Sequence, residues 1–422
     1  MKKPRLLSPI QDFTSLKAAI NAGADEVYFG VKKLNMRSHG ARNFELRDLK
    51  KIVDTCSQKN IKTCLTVNTI VYQNELRLVE RLLTKAKSSG IDAIICWDMA
   101  VLKLAKKIGL EIHLSTQASV SNSIAARFYQ KLGVSRIVLA RECSLVDIKK
   151  MKADTNIELE AFIHGAMCVS ISGRCFMSQF LYGLSANRGQ CLQPCRREYK
   201  IIDAEQGQKN ELIIGADYVL SPKDLCTLPF IEKLIRAGIN VFKIEGRNRS
   251  PEYVYTVTKI YRQVIDFYSL NAEAFKHLNI KSNKLLNKKF EEIKRTGLKE
   301  LKTVYNRGFS DGFYLGKPIN QWCHNYGSQA SVKKIHLGKV AHYYDKIKVA
   351  EIKIEAKAKL KLGENIIIQG PSTGHYCQKI ESIEINHKKI KQATQGQMVA
   401  VKLKHKVKSN DKVYKQIKNK AS

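Results

Sequence analysis

AIICWDMAVLKLAKKIGLEIHLST, residues 93–116, holds one complete unit of the fold. A short apolar run ends at Asp98, a residue type that suits a helix N-cap. Val101, Leu102, Ala105 and Ile108 then recur at helical spacing, Gly109 stands where a helix C-cap belongs, and a second β-branched run starts at Glu111. Outward from this unit, the pattern repeats every 20 to 30 residues through the first 270. The strands expected are 5–10, 26–30, 62–69, 93–98, 111–116, 136–140, 157–164 and 240–246, with amphipathic helical stretches between them. Strand and helix in alternation argue for a parallel sheet. Eight such strands predict an α/β, (β/α)8 TIM-barrel-like domain over residues 1–270, with a doubly wound sheet as the alternative.

In such a barrel the chemistry sits at the C-terminal ends of the strands. Asn68, Asp98, Ser115 to Gln117, Arg141, His164 and Glu245 to Arg247 all fall there. Helix caps use the same residue types, so each alone reads equally well as loop-start polarity, while the set favours a shared site. The alternation stops at His164. Residues 164–200, rich in Gly, Ser and Arg, are too long for an ordinary strand-to-helix loop and are expected to be a functional insertion. A helical and turn-rich connector is expected over 271–327, and short alternating strands over 328–422 predict a small all-β barrel.

Composition narrows the partners. The 422 residues carry 73 Lys and Arg against 38 Asp and Glu, a net charge of +35, which invites a polyanion such as nucleic acid, the ribosome or anionic lipid unless it only reflects lysine decorating the whole surface. The excess is concentrated at the end, where Ser328–Ser422 holds 21 Lys, no Arg and 7 acids. A hydrophobic content of 44% with only 8 Pro excludes a mainly disordered chain. No apolar run is long enough to span a membrane, and the N-terminus has no signal-peptide pattern, so a cytoplasmic protein without a membrane partner is expected.

Eleven Cys in such a chain do not form a disulfide framework. Cys64, Cys96 and Cys143 lie in or beside apolar strands and read as small core residues. Cys168, Cys175, Cys191 and Cys195 differ, because they stand together at C-x6-C-x15-C-x3-C spacing inside the insertion. Zinc prefers two close pairs of thiolates, and only the second pair is close. An iron–sulfur cluster tolerates looser spacing and is favoured, with zinc and unligated structural thiols left open. Arg174, Arg188, Arg196 and Arg197 accompany the thiols and suit either thiolate charge or an anionic ligand. Gly165, Gly173, Gly183 and Gly189 permit close backbone approach.

HGAMCVSISGRCFMSQFLYGLSANRGQCLQPCRREY (164–199), SPKDLCTLPFIEKLIRAGINVFKIEGRNRSPEYV (221–254) and YNRGFSDGFYLG (305–316) resemble the signature of the collagenase-like peptidase U group, family 32. The opening segment SPIQDFTSLKAAINAGADEVYFG (8–30) is similar to that group's start, and the likeness covers nearly the whole chain. The resemblance implies hydroxylation proteins that bind a [4Fe–4S] cluster through four Cys. One branch acts on the wobble uridine of tRNA to give 5-hydroxyuridine, and another on a cytidine of large-subunit rRNA. Both depend on prephenate or a carboxylate derived from it. A third, shorter branch hydroxylates a ubiquinone precursor. The length here is most similar to the tRNA branch, whose anticodon region would be the partner, with an electron donor protein and a family paralogue as further partners.

Carried over by position, Cys168, Cys175, Cys191 and Cys195 match the cluster ligands. Cys226 in PKDLC is the rival for the fourth place. His164, Arg174, Glu245 and Arg247 match motif positions and are the catalytic candidates, while Arg141, Arg174 and Arg247 are the candidates for clamping prephenate. The peptidase in the group's name is weighed separately. The chain has neither G-x-S-x-G nor H-E-x-x-H, and although His164 and Cys168 can be drawn as a nucleophile pair, four clustered thiols are better explained as ligands. A non-catalytic RNA- or ribosome-binding module is the remaining reading.

Overall fold

The computed structural model describes residues 2–171, 173–199, 218–276 and 281–419. Eight parallel strands form its first body: β1 (Arg5–Pro9), β2 (Glu26–Phe29), β3 (Lys62–Thr66), β4 (Ala93–Cys96), β5 (Glu111–Leu114), β6 (Arg136–Val138), β7 (Glu158–Gly165) and β8 (Val241–Ile244). Each pairs with the next, and β8 pairs with both β7 and β1. The ring is closed, so the TIM-like barrel holds and the open doubly wound alternative falls. Helices α1 (Phe13–Asn21), α2 (Leu49–Ser57), α3 (Leu76–Ser89), α4 (Met99–Ile108), α5 (Ser123–Lys131) and α6 (Leu145–Asp154) follow β1 to β6 in turn. Asp98 caps α4 by accepting the Ala100 N–H at 2.9 Å, and Gly109 ends it. The link from β7 to β8 holds α7 (Met177–Tyr182) and α8 (Ile231–Arg236), and α9 (Pro251–Leu270) follows β8.

Outward strand residues and inward helix faces make the main apolar core, in which Cys56, Cys96 and Cys143 are buried. The barrel interior has only a small apolar cluster, with Leu7, Tyr28, Cys64 and Val241 among its members. Buried charges fill the rest. Arg136 lies 2.6 Å from Glu26 and 3.1 Å from Glu160, and Lys243 lies 2.7 Å from Glu160. Such a network adds little net stability over apolar packing, yet losing one member costs about 3–5 kcal/mol because its partner stays buried and unpaired. Against the upward push of burial, Lys243, Arg136 and His113 hold the Glu160 carboxyl down to about 2.

β7 contains one irregularity that matters for the site. Lys243 pairs with Phe162, but the next residue, Ile244, pairs with His164, which leaves Ile163 as an extra residue. Because strand faces alternate, this bulge keeps Phe162 inward and turns His164 to the helix side. There the imidazole packs against Tyr253 and Tyr261 of α9 and against Phe309. Gly165 follows with φ +103°, and a Cβ there would lie 2.4 Å from the Glu245 carbonyl oxygen.

After α9, the helix Lys281–Leu301 packs along α9. Residues 277–280 of the expected connector lie outside the described residues. Phe309–Ser310 then pairs with Asp224–Cys226 beside β7, and Trp322–Cys323 pairs with Tyr218–Pro222, so the chain returns to the barrel. The C-terminal residues form antiparallel sheet around a separate core that includes Leu337, Val340, Ile352, Ile368, Val399 and Val413. Its longer strands are β9 (Val332–Tyr344), β10 (Val349–Ile354), β11 (Asn365–Gly370), β12 (Gly374–Lys379), β13 (Met398–Lys402) and β14 (Lys412–Lys418), ordered β12-β11-β14-β9-β10-β13. This body docks on α1 and on the start of α9. Asn21 Nδ2 donates to the Thr373 carbonyl at 3.1 Å, and Glu252 receives Lys334 Nζ and Gln369 Nε2, each at 2.7 Å.

Candidate functional site

At the C-terminal ends of the barrel strands lies a cavity of about 150 Å³. Tyr28, Thr66, Phe162 and Lys243 line it from the strands, and Asn68, Ser115, Thr116, Gln117, Arg141, Glu245 and Arg247 line it from the loops that follow them. Most of the strand-end set therefore meets at one place. Asp98 does not, being spent on the α4 cap. The insertion closes the cavity from above and contributes all four of Cys168, Cys175, Cys191 and Cys195.

The insertion is held by specific contacts with the loops after β2 and β3. Gly189 has φ +83°, and a Cβ there would stand 2.2 Å from the Asn35 carbonyl oxygen and 2.6 Å from Ser38 Oγ. Its own carbonyl accepts the His39 N–H at 3.2 Å, and Arg188 reaches Glu75 at 2.8 Å. Asn187 Oδ1 accepts the Cys175 N–H at 2.8 Å. The Cys191 sulfur receives the Gln193 N–H at 3.4 Å and faces Ser178 Oγ at 3.9 Å. Burial pushes the Cys195 thiol up to about 11, opposed by Arg196 and reinforced by the other three thiols.

Among the described residues, no three His, Cys, Asp or Glu side chains stand where one metal ion would reach them all. The four cysteines line one cavity, and donors point at the Cys191 sulfur. Four soft thiols lining one cavity, with amide and hydroxyl donors at the Cys191 sulfur, fit an iron–sulfur cluster by their chemistry. Cys226 is not part of this wall. It is buried on the short strand beside β7, 3.8 Å from the Tyr261 hydroxyl.

The cavity is strongly cationic. Arg37, Arg141, Arg196, Lys243, Arg247 and Arg307 line it, with Glu245 as the one acid among the described residues. Glu245 is ion-paired with Arg37 at 3.1 Å, not with any of the arginines singled out in the sequence. Burial pushes the Glu245 carboxyl up, but Arg37, Arg141 and Arg247 together hold it below its ordinary value. Arg247 is 5% exposed and bonds only neutral oxygens through Nη1, Asn35 Oδ1 at 3.0 Å and Thr66 Oγ1 at 2.8 Å. Burial lowers its pKa to about 10. Arg141 lies 4.0 Å over the Phe162 ring and donates to the Ala166 carbonyl at 3.1 Å. The Nε atoms of Arg37 and Arg141 are buried without a hydrogen-bond partner. An anionic ligand would satisfy such a wall.

Two sequence candidates stand outside the cavity lining. His164 is 1% exposed on the far side of β7, with Nδ1 3.4 Å from the Tyr261 hydroxyl, and burial lowers its pKa to about 4. The bulge at Ile163 is the reason, and a neutral imidazole inside an aromatic cluster reads as packing. Arg174 is displaced because its guanidinium donates to the Gln117 carbonyl at 3.3 Å and lies over Trp97. Sequence reasoning missed Arg37, Lys243 and Arg307. A lysine inside an otherwise apolar strand was a usable signal for Lys243, and Arg307 lies within YNRGFSDGFYLG. Arg37 had no local signal.

Comparison with known proteins follows the same lines. The chain is 41% identical to a collagenase of Porphyromonas gingivalis, over 97% of both chains. It is 32% identical to tRNA hydroxylation protein P1 of Bacillus subtilis, over 90% of this chain and 87% of that one. It is also 39% identical to the 23S rRNA 5-hydroxycytidine C2501 synthase of Escherichia coli, over 62% of this chain and 39% of that one. The sequence pattern of peptidase family U32 matches residues 11–324, and with the closed barrel and the motifs above the chain belongs to that family.

Proposed function

We propose that this chain hydroxylates a pyrimidine base of RNA, with the wobble uridine of tRNA as the substrate and 5-hydroxyuridine as the product. The observation that carries the reading is the meeting of Cys168, Cys175, Cys191 and Cys195 with a wall of cations at the mouth of the barrel. A [4Fe–4S] cluster held by those thiols would supply one-electron chemistry at the cavity. The chain's own residues bind and orient. Arg141 and Arg247 offer guanidinium edges to a dicarboxylate of the prephenate type. Arg37 and Lys243 keep the acids Glu245 and Glu160 ionised and paired, so neither carboxylate competes as a free anion. The target base would have to leave its stack to reach this depth, as bases do for enzymes that modify them. The names of the Bacillus and Escherichia relatives support RNA hydroxylation.

The collagenase name of the Porphyromonas relative favours a peptidase as the second reading. That chemistry needs a nucleophile beside a base. Among the described residues lining the cavity there is no histidine, and Lys243 is engaged by Glu160 at 2.7 Å.

Anaerobic purification followed by iron and sulfide analysis should return about four of each per chain. Zinc alone, or no metal, would remove the cluster. Nucleoside mass spectrometry of tRNA from a deletion strain should show the wobble hydroxyuridine derivatives lost. Unchanged tRNA with an altered rRNA cytidine would move the substrate to rRNA. Gelatin cleavage surviving in a cluster-free Cys168→Ala variant would restore the peptidase.

A further inference from the structure

α7 has two sides with different surroundings. Met177 and Ser178 line the cavity, while Phe176 and Phe180 are 60% and 84% exposed. Their rings stand 5.9 Å apart at 39°. Tyr182, at the end of the same helix, carries the Arg197 guanidinium 5.4 Å from its ring centre. A second exposed aromatic, Tyr72 at 54%, stands beside the insertion, with the Arg188 guanidinium 4.5 Å from its ring centre and paired to Glu75. Large aromatics left this open carry a hydrophobic cost and mark a surface that meets something.

We propose that this face of α7 is a stacking platform for unpaired RNA bases, holding the nucleotides next to the one whose base enters the cavity. The proposal rests on the RNA reading given above. Charge complementarity selects the occupant: Arg197 lies over the Tyr182 ring at the end of α7, and residues 168–199 carry four arginines against one acid, Glu198, with Arg174, Arg188 and Arg196 held by Gln117, Glu75 and the Met167 carbonyl. Bases stack on exposed ring faces without regard to sequence, and the Arg197 guanidinium beside Tyr182 can take a flanking phosphate. A lipid surface or a protein partner would also cover aromatics, but neither requires ring faces interleaved with arginine next to a cavity that must receive a single base.

The test uses the full-length protein and a short single-stranded RNA carrying 2-aminopurine, followed by anisotropy for affinity and by fluorescence quenching for stacking. Phe180→Ala should weaken binding roughly 5- to 100-fold and abolish the quench, and Phe180→Tyr should restore both. Because Phe180 is solvent-exposed, the variants should keep the wild-type circular dichroism spectrum and iron content. Equal affinity and quenching in wild type and Phe180→Ala would overturn the platform while leaving RNA as the substrate. No RNA binding by the wild-type protein would overturn the RNA reading itself. Binding to phosphatidylserine–phosphatidylcholine vesicles that is lost in Phe180→Ala, with RNA binding unchanged, would overturn the proposal in favour of a membrane surface.

Discussion

His164 shows how one residue's position decides its role. The neutral imidazole is favoured by the fold, with a pKa near 4 against the ordinary 6.5. Its contribution is therefore fully present above pH 6.5 and is lost as the pH falls toward 4, amounting to roughly 3 kcal/mol over the whole window. Denaturant unfolding of His164→Gln should show a shallower stability loss across that window than the wild type. Activity at pH 8 should persist, which a catalytic His164 would not allow. Glu160 works in the opposite chemical sense and also loses its effect in acid. Glu160→Gln should lower the unfolding free energy at neutral pH by about 3–5 kcal/mol. The difference should shrink as the pH falls below 4.5 toward 2, where the wild-type carboxylate takes up its proton as well.

At the scale of elements, the eight barrel strands were legible because most are compact apolar runs followed by a helix with recognisable ends, as residues 93–116 illustrate. The four thiols were legible because they crowd one segment of the chain. The bulge at Ile163 was not, since nothing in ELEAFIHG distinguishes an extra residue from a regular one. The Arg37–Glu245 pair was not legible either, because its partners are 208 residues apart and only barrel closure brings them together. The insertion's dependence on the loop after β2 gives a direct test. Gly189→Ala places a methyl group against the Asn35 carbonyl in a backbone conformation that alanine avoids. Iron per chain should fall sharply in that variant, while far-ultraviolet circular dichroism retains the barrel's signature.

At the scale of the whole molecule, the charge that the sequence displayed as a single number divides by environment. Some cations are neutralised inside the barrel, some line the cavity, and the lysines of the C-terminal sheets are largely on the surface. The last group, like the exposed lysines on the barrel's outer helices, is open to screening by salt. Raising salt from about 50 to 200 mM should weaken RNA binding by roughly 10³-fold or more if six or more phosphates are contacted, as filter binding would show. The iron content should not change over the same range. The docking of that sheet domain against α1 and the start of α9 places its lysines on the flank of the body that holds the cavity.

The bulge in β7 also sets a limit on transplantation. A barrel strand is a two-phase track, and the extra residue at Ile163 advances the phase by one step just before the chain leaves the sheet. Everything launched from that strand inherits the shift, beginning with the Gly165 backbone that passes beneath the Glu245 carbonyl. Moving the cysteine segment onto another eight-stranded scaffold would therefore require the extra residue to travel with it. Without it, Phe162 and His164 would share one face, and the imidazole would be turned into the barrel.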